Sequence, residues 1–194
     1  MTSRLLLPAL LCVAGCARIS GFADAGAVTE AAPPRQYASG PDGLKSLFGD
    51  LLESARKDER NEVHDQLARL WLTDAELAEL FGPEAASLKR PYKSMMETLT
   101  NRGGVELVAQ VYERKLDDIE VVKVDGSLAS ATPEERAVHK ALKTPVEIYA
   151  VRVKRKADAR GLRYDFFVYL HGSWRTGNQL GKVLAARSNP DGGH

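Results

Sequence analysis

Apolar residues recur at helical spacing in the first half of the chain and at strand spacing in the second. Leu44, Leu47, Phe48, Leu51, Leu52 and Ala55 fall at i, i+3, i+4, i+7, i+8 and i+11, one stripe of an amphipathic helix opened by Pro41-Asp42. The charged stretch Arg56 to Arg60 ends it, and Val63, Leu67, Leu70 and Trp71 form a second stripe. Thr73 with Glu76 reads as a capping box for a short helix ending near Phe81-Gly82. Pro83 fits the first turn of a further helix bearing Leu88, Tyr92, Met95 and Leu99. Gly103-Gly104 interrupts that helix, and the periodicity of Val105 to Arg114 fits helix or strand.

Strand patterns then take over. Ile119 to Val124 is a β-branched run stopped by the turn signal Asp125-Gly126. Thr132 and Glu135 cap a small surface helix, Pro133 to Leu142, inside a long connection. From Val146 to Lys154, Tyr149, Val151 and Val153 alternate with Arg152 and Lys154. Strict alternation over Leu162 to Leu170 puts Leu162, Tyr164, Phe166, Val168 and Leu170 on one face and Arg163, Asp165, Phe167 and Tyr169 on the other. His171-Gly172 makes a two-residue hairpin turn returning through Trp174, Arg175 and Thr176. Helices first and an antiparallel meander last is an α+β order.

This order, with its G-x-W-R turn (Gly172, Trp174, Arg175), resembles the NTF2-like superfamily over roughly Gly43 to Leu184. The resemblance implies N-terminal helices packed on a C-terminal antiparallel curved sheet, an NTF2-like or cystatin-like cone enclosing a pocket. The long segment Asp125 to Thr144 departs from that pattern, and the likeness transfers no catalytic residue. Enzymes of that group often pair an Asp with a His as general acid and base. Here Asp165 and His171 are six residues apart, about 20 Å along a strand, which is beyond hydrogen-bonding reach. Asp165 set against Arg152 or Arg175 is enough to explain its charge.

The N-terminus carries a different signal. Arg4 precedes a short apolar run that ends in small residues and a cysteine, too short to span a bilayer and shaped like a signal-peptide core. Val13-Ala14-Gly15-Cys16 resembles the lipobox of bacterial lipoproteins. That resemblance implies removal of residues 1–15, a diacylglycerol thioether on Cys16, and further acylation by palmitate-like chains. Two or more such chains anchor stably where one is marginal. Ala17 stands where an Asp would favour inner-membrane retention, so the expected address is the outer membrane, facing the periplasm. Residues 16–40 are rich in Ala, Gly, Ser and Pro and read as a flexible tether with a reach of roughly 27 Å. The expected domain then covers residues 41–186, with a loose tail over 187–194.

Composition limits the chemistry. The 194 residues are 44% hydrophobic and carry 27 basic against 26 acidic side chains, too balanced for a dedicated nucleic-acid binder. With Cys12 removed and Cys16 acylated, the folded part holds no thiol, hence no disulfide, cysteine nucleophile or Cys-ligated metal. The four histidines are scattered with no HExxH or paired-His spacing, and Glu135 to His139 (E-R-A-V-H) is the wrong arrangement for a helical zinc site, so neither metal nor cofactor is expected. The candidate ligand or partner face is Asp165, Phe167, Tyr169, Trp174 and Arg175. Its aromatics need cover from helices, a ligand or a second copy, which would make a homodimer or a protein partner through the sheet. The basic turn Lys154-Arg155-Lys156 is a candidate contact for anionic lipid head groups. A non-catalytic binding or accessory module is the expected role. An NTF2-like enzyme acting on a small hydrophobic substrate, or an envelope assembly subunit, are the alternatives.

Overall fold

The computed structural model describes residues 35–128, 131–158 and 160–188. Cys16, the signal peptide and most of the tether lie outside the described residues. The first apolar stripe forms α1 (Gly40–Arg56), with Pro41 and Asp42 in its first turn and Arg56 in its last, all placements that suit the helix dipole. Next come α2 (Arg60–Arg69) and α3 (Asp74–Phe81). The Thr73 hydroxyl accepts from the Glu76 N–H at 3.2 Å, and the Glu76 carboxylate accepts from the Thr73 N–H at 2.7 Å, completing the capping box. A 3₁₀ turn (Gly82–Glu84) leads into α4 (Ala85–Thr98).

One feature of the next stretch differs from the sequence pattern. Gly103-Gly104 does not break the helix: a π turn (Leu99–Gly103) carries α4 directly into α5 (Gly104–Arg114), so Val105 to Arg114 is helical. Pro91 sits inside α4, where its missing N–H leaves the Ser87 carbonyl without its helical donor. Arg187 replaces that donor from elsewhere in the chain, bonding the Ser87 carbonyl at 2.9 Å and the Ser87 hydroxyl at 2.6 Å.

The rest of the chain supplies β1 (Asp118–Val124), α6 (Pro133–Ala141), β2 (Ile148–Lys154), β3 (Leu162–Leu170), β4 (Ser173–Thr176) and α7 (Leu180–Ser188). The four strands form an antiparallel sheet in sequence order, open at both edges, and the fold is α+β. His171 and Gly172 both take positive φ, 48° and 80°, as a two-residue hairpin turn between β3 and β4 requires. The closing helix α7 has no counterpart in the sequence pattern. Arg187 and Ser188 belong to it and not to a loose tail starting at 187.

Strict alternation fails in β3. Tyr149 pairs with Phe167 but Val151 pairs with Tyr164, so three steps on β3 match two on β2. Asp165 and Phe166 together oppose Ala150, a β-bulge, with Phe166 at φ 61°. The bulge moves Leu162 and Tyr164 onto the face of Phe167, against α1, α2 and α5. Phe166, Val168 and Leu170 face the other way, against α3, α4, α6 and α7. Both faces of the sheet are therefore covered by helices, so Phe167 needs neither ligand nor second subunit to be buried. On the first face the space between helices and sheet is filled by side chains. The void left beside Phe48, Leu67 and Phe167 is only about 20 Å³, of the order of one water.

Tyr92 ties the two ends of the fold together. Its buried hydroxyl accepts from the Leu72 N–H at 2.6 Å and donates to the Thr176 carbonyl at 2.8 Å. The same junction holds the parallel bridge between Trp71 and Thr176, with the Thr176 N–H on the Leu70 carbonyl at 2.8 Å. Tyr92→Phe leaves two buried backbone groups without this partner and should lower stability by about 2 kcal/mol, as read by urea unfolding. Tyr112→Phe, whose hydroxyl reaches the Arg56 carbonyl at the exposed surface, serves as the comparison and should change little.

Tyrosines also set the alkaline limit. Tyr37 and Tyr164, by burial, and Tyr149, by its hydrogen bond to Glu147, are each pushed up to about 12, and burial raises Tyr92 as well. The denatured chain loses these protons first, from about pH 10. Their stabilising contribution is thus complete below pH 10 and lost as pH climbs towards 12. Urea midpoints should hold level from pH 8 to pH 10 and then fall, which denaturation at stepped pH values measures.

Candidate functional site

The five residues singled out from the sequence do not form one face. Phe167 is a core side chain packed edge-on to Phe48, with ring centres 5.3 Å apart. Trp174 is buried between Tyr149 and Tyr169, with ring centres 5.6 and 5.3 Å away. Arg175 is directed to α3, where it bonds the buried Glu76 carboxylate at 2.9 and 3.1 Å. Asp165 lies in the bulge, and its ion-pair partner is Arg163 at 2.6 Å, not Arg152 or Arg175. His171 bonds Glu79 at 2.8 Å on the surface, so Asp165 and His171 form no acid–base pair. Among the described residues no cluster of His, Cys, Asp and Glu could hold a metal ion.

What covers Trp174 and Tyr169 is the chain's own segment ahead of α1. The Trp174 indole donates to the Ala38 carbonyl at 2.9 Å, and the Tyr169 hydroxyl to the Tyr37 carbonyl at 3.2 Å. Tyr37 and Arg35 both bond Asp50 of α1, at 2.7 and 2.6 Å. A Cβ on Gly43 would lie 1.8 Å from the Ala38 carbonyl oxygen, so this close approach needs glycine. Residues 35–39, read from composition as the end of a flexible tether, are a strap fixed to the domain. The basic turn is similarly occupied: Lys154 pairs with Glu120 at 3.1 Å and Arg155 with Asp158 at 2.7 Å.

A cavity of about 390 Å³ lies on the second face, where α6 and α7 meet the bulged end of β3. Its floor is apolar, made of the buried Val138, Ile148 and Phe166. Its rim is polar, with Glu134 and Glu135 from the first turn of α6 and Asn178, Gln179 and Lys182 at the start of α7. Arg163 bridges two carboxylates of the rim, Asp165 at 2.6 Å and Glu135 at 2.6 Å. Asp165 raises the Arg163 guanidinium above its ordinary value, through the hydrogen bond and its charge.

Glycines and two strained residues hold this wall in place. A Cβ on Gly181 would come within 2.9 Å of Glu134 Cβ, and one on Gly126 within 2.5 Å of His139 Cβ, so α6 is seated tightly between β1's loop and α7. Phe166 and Gln179, at φ 61° and 62°, are non-glycine residues in the left-handed region, and both line the cavity. The Phe166 ring lies directly on Gly177, whose N–H donates to the Phe166 carbonyl at 2.8 Å. In the sequence Thr132 and Glu135 mark a cap, and nothing there marks Glu134, Glu135, Arg163, Asn178, Gln179 or Lys182 as a site. The closely spaced Gly177 and Gly181 were the one local signal of close packing there.

Comparison with family models finds no match, and comparison with curated proteins and with solved structures finds none either.

Gly177→Ala would drive a Cβ to 1.9 Å from Phe166 Cδ1. Overpacking of this kind costs typically 1–3 kcal/mol. The variant should lose about that much stability and shift the amide resonances of Phe166 and Asn178, as read by urea unfolding and heteronuclear NMR.

Proposed function

We propose that the chain is a lipoprotein of the bacterial envelope, held to the outer membrane by acyl chains on Cys16 and facing the periplasm. Its domain acts there as a non-catalytic binding or accessory module through the cavity between α6, α7 and β3. The observation that carries the address is the run Arg4 to Cys16, a basic residue, a short apolar core and small side chains before a thiol. Three further observations support the reading. Residues 35–188 contain no cysteine, so acylation of Cys16 takes nothing from the core. Among the described residues no helix is long and apolar enough to cross a membrane, which is compatible with this reading. The cavity is of ligand size, and the carboxylates of Glu135 and Asp165 are ion-paired within its wall.

The enzyme alternative draws no support from Asp165 and His171, whose partners are Arg163 and Glu79. Cys16→Ser is the decisive variant. It should abolish palmitate labelling and detergent-phase partitioning while the urea midpoint of the domain stays unchanged. Recovery of the unmodified wild-type chain from the cytosol with its leader uncut would overturn the assignment.

A further inference from the structure

The cavity's lining selects among ligand chemistries, and the selection rests on the cavity being a ligand site as proposed above. Formal charges nearly cancel: Glu134, Glu135 and Asp165 stand against Arg163 and Lys182. Much of this charge is already spent inside the wall. Arg163 holds Asp165 and Glu135, while the other Glu135 oxygen accepts from the Thr132 N–H at 2.7 Å. A small anion would meet three carboxylates, and a small cation would meet a guanidinium and an ammonium.

Among the described residues, what remains unengaged is a set of neutral or balanced hydrogen-bonding groups. Glu134 and the second Asp165 oxygen offer acceptors, and Lys182 offers donors. The Asn178 and Gln179 side-chain amides offer both. Beneath them lies an apolar floor, Val138, Ile148 and Phe166, continued by Val124. Donors and acceptors present together over an apolar base match a neutral polyhydroxylated ring. Its hydroxyls donate to carboxylate oxygens and accept from amides and ammonium, while its C–H face lies on the floor. A volume of about 390 Å³ sits at the small end of ligand cavities and fits a mono- or disaccharide, not a longer chain.

We propose that the α6–α7–β3 cavity binds a neutral mono- or disaccharide, with Glu134, Asp165, Asn178 and Lys182 bonding its hydroxyls over a floor formed by Phe166 and Ile148. The rigid wall favours this use. Phe166 and Gln179 are held in the left-handed region at rest, so the site is preformed and a ligand need not order it.

The test uses the full acylated chain in phosphatidylcholine nanodiscs, read by amide chemical shifts. The probes are glucose, galactose, N-acetylglucosamine, maltose and N,N′-diacetylchitobiose, with inorganic phosphate and butylammonium as charged counterparts. At least one sugar should give saturable shifts confined to residues 132–138, 163–166 and 177–182. Asn178→Ala and Glu134→Gln should each weaken that binding about tenfold, the loss of one hydrogen bond left unpaired. Lys93→Ala, on α4 away from the cavity, should leave it unchanged. Saturation by phosphate or butylammonium with no response to the sugars overturns the ligand class but keeps the cavity as a binding site. Silence of these residues to all seven probes overturns both, as do sugar shifts that saturate elsewhere on the domain.

Discussion

A single extra residue in β3 decides how this domain is layered. With Asp165 and Phe166 both set against Ala150, the aromatic strand turns over midway, and each face receives large apolar side chains from a different half of it. Leu162, Tyr164 and Phe167 then share one side, and Phe166, Val168 and Leu170 the other. An antiparallel sheet with a single apolar face can leave its reverse wet; this one cannot. Two helical layers are needed, and the chain supplies them in an interleaved order. The first comes from α1, α2 and α5, the second from α3, α4, α6 and α7.

The bulge also explains why the sequence led to some elements and not to others. Helix stripes and caps are local. The spacing from Leu44 to Ala55, the Thr73–Glu76 box and the Thr132–Glu135 box are each complete within a few residues, and each forms as read. Face assignment in β3 is not local, because a period of two gives the right faces only until one residue is inserted. Phe166 gives no warning, since a bulky aromatic is an unusual occupant of positive φ. Long-range compensation is equally hidden. The apolar spacing carries a helix through Pro91, and nothing local shows how the bared Ser87 carbonyl is satisfied: Arg187, nearly a hundred residues later, reaches it. Among the described side chains of helix α7, Leu180, Gly181 and Leu184 are the buried ones, too few positions for a stripe.

The N-terminal segment and the fold meet at the strap. Ahead of α1, the carbonyls of Tyr37 and Ala38 accept from Tyr169 and Trp174, and Tyr37 and Arg35 close on Asp50. The donors are side chains of β3 and β4, so the last residues before the domain are tied to the sheet that organises it. A pull on the N-terminus would therefore reach the core through hydrogen bonds on two strands and one helix. The strap also covers Tyr169 and Trp174, part of the aromatic surface for which the sequence leaves helices, a ligand or a second copy as cover. Its presence covers those aromatics with the chain's own backbone, whereas the cavity beside α6 and α7 stays open at about 390 Å³.

That room exists because of strain held in place by packing. Left-handed backbone at a non-glycine residue costs of order 1–3 kcal/mol and persists only where neighbours over-determine it. At Phe166 the neighbours are plain: the ring lies on Gly177 and edge-on to Phe81, 6.0 Å between centres, while the carbonyl is fixed by the Gly177 N–H. Gln179, one turn of chain further, starts α7 from the same conformation and delivers its amide to the rim. Relaxing either residue would restore ordinary geometry but withdraw the floor or the rim. A fold under no functional demand would be expected to close the gap between α6 and α7 with side chains, as it does beside Phe48 and Phe167, where only about 20 Å³ remains. The contrast between a filled first face and an open, strained second face is the physical reason for proposing a ligand at the latter.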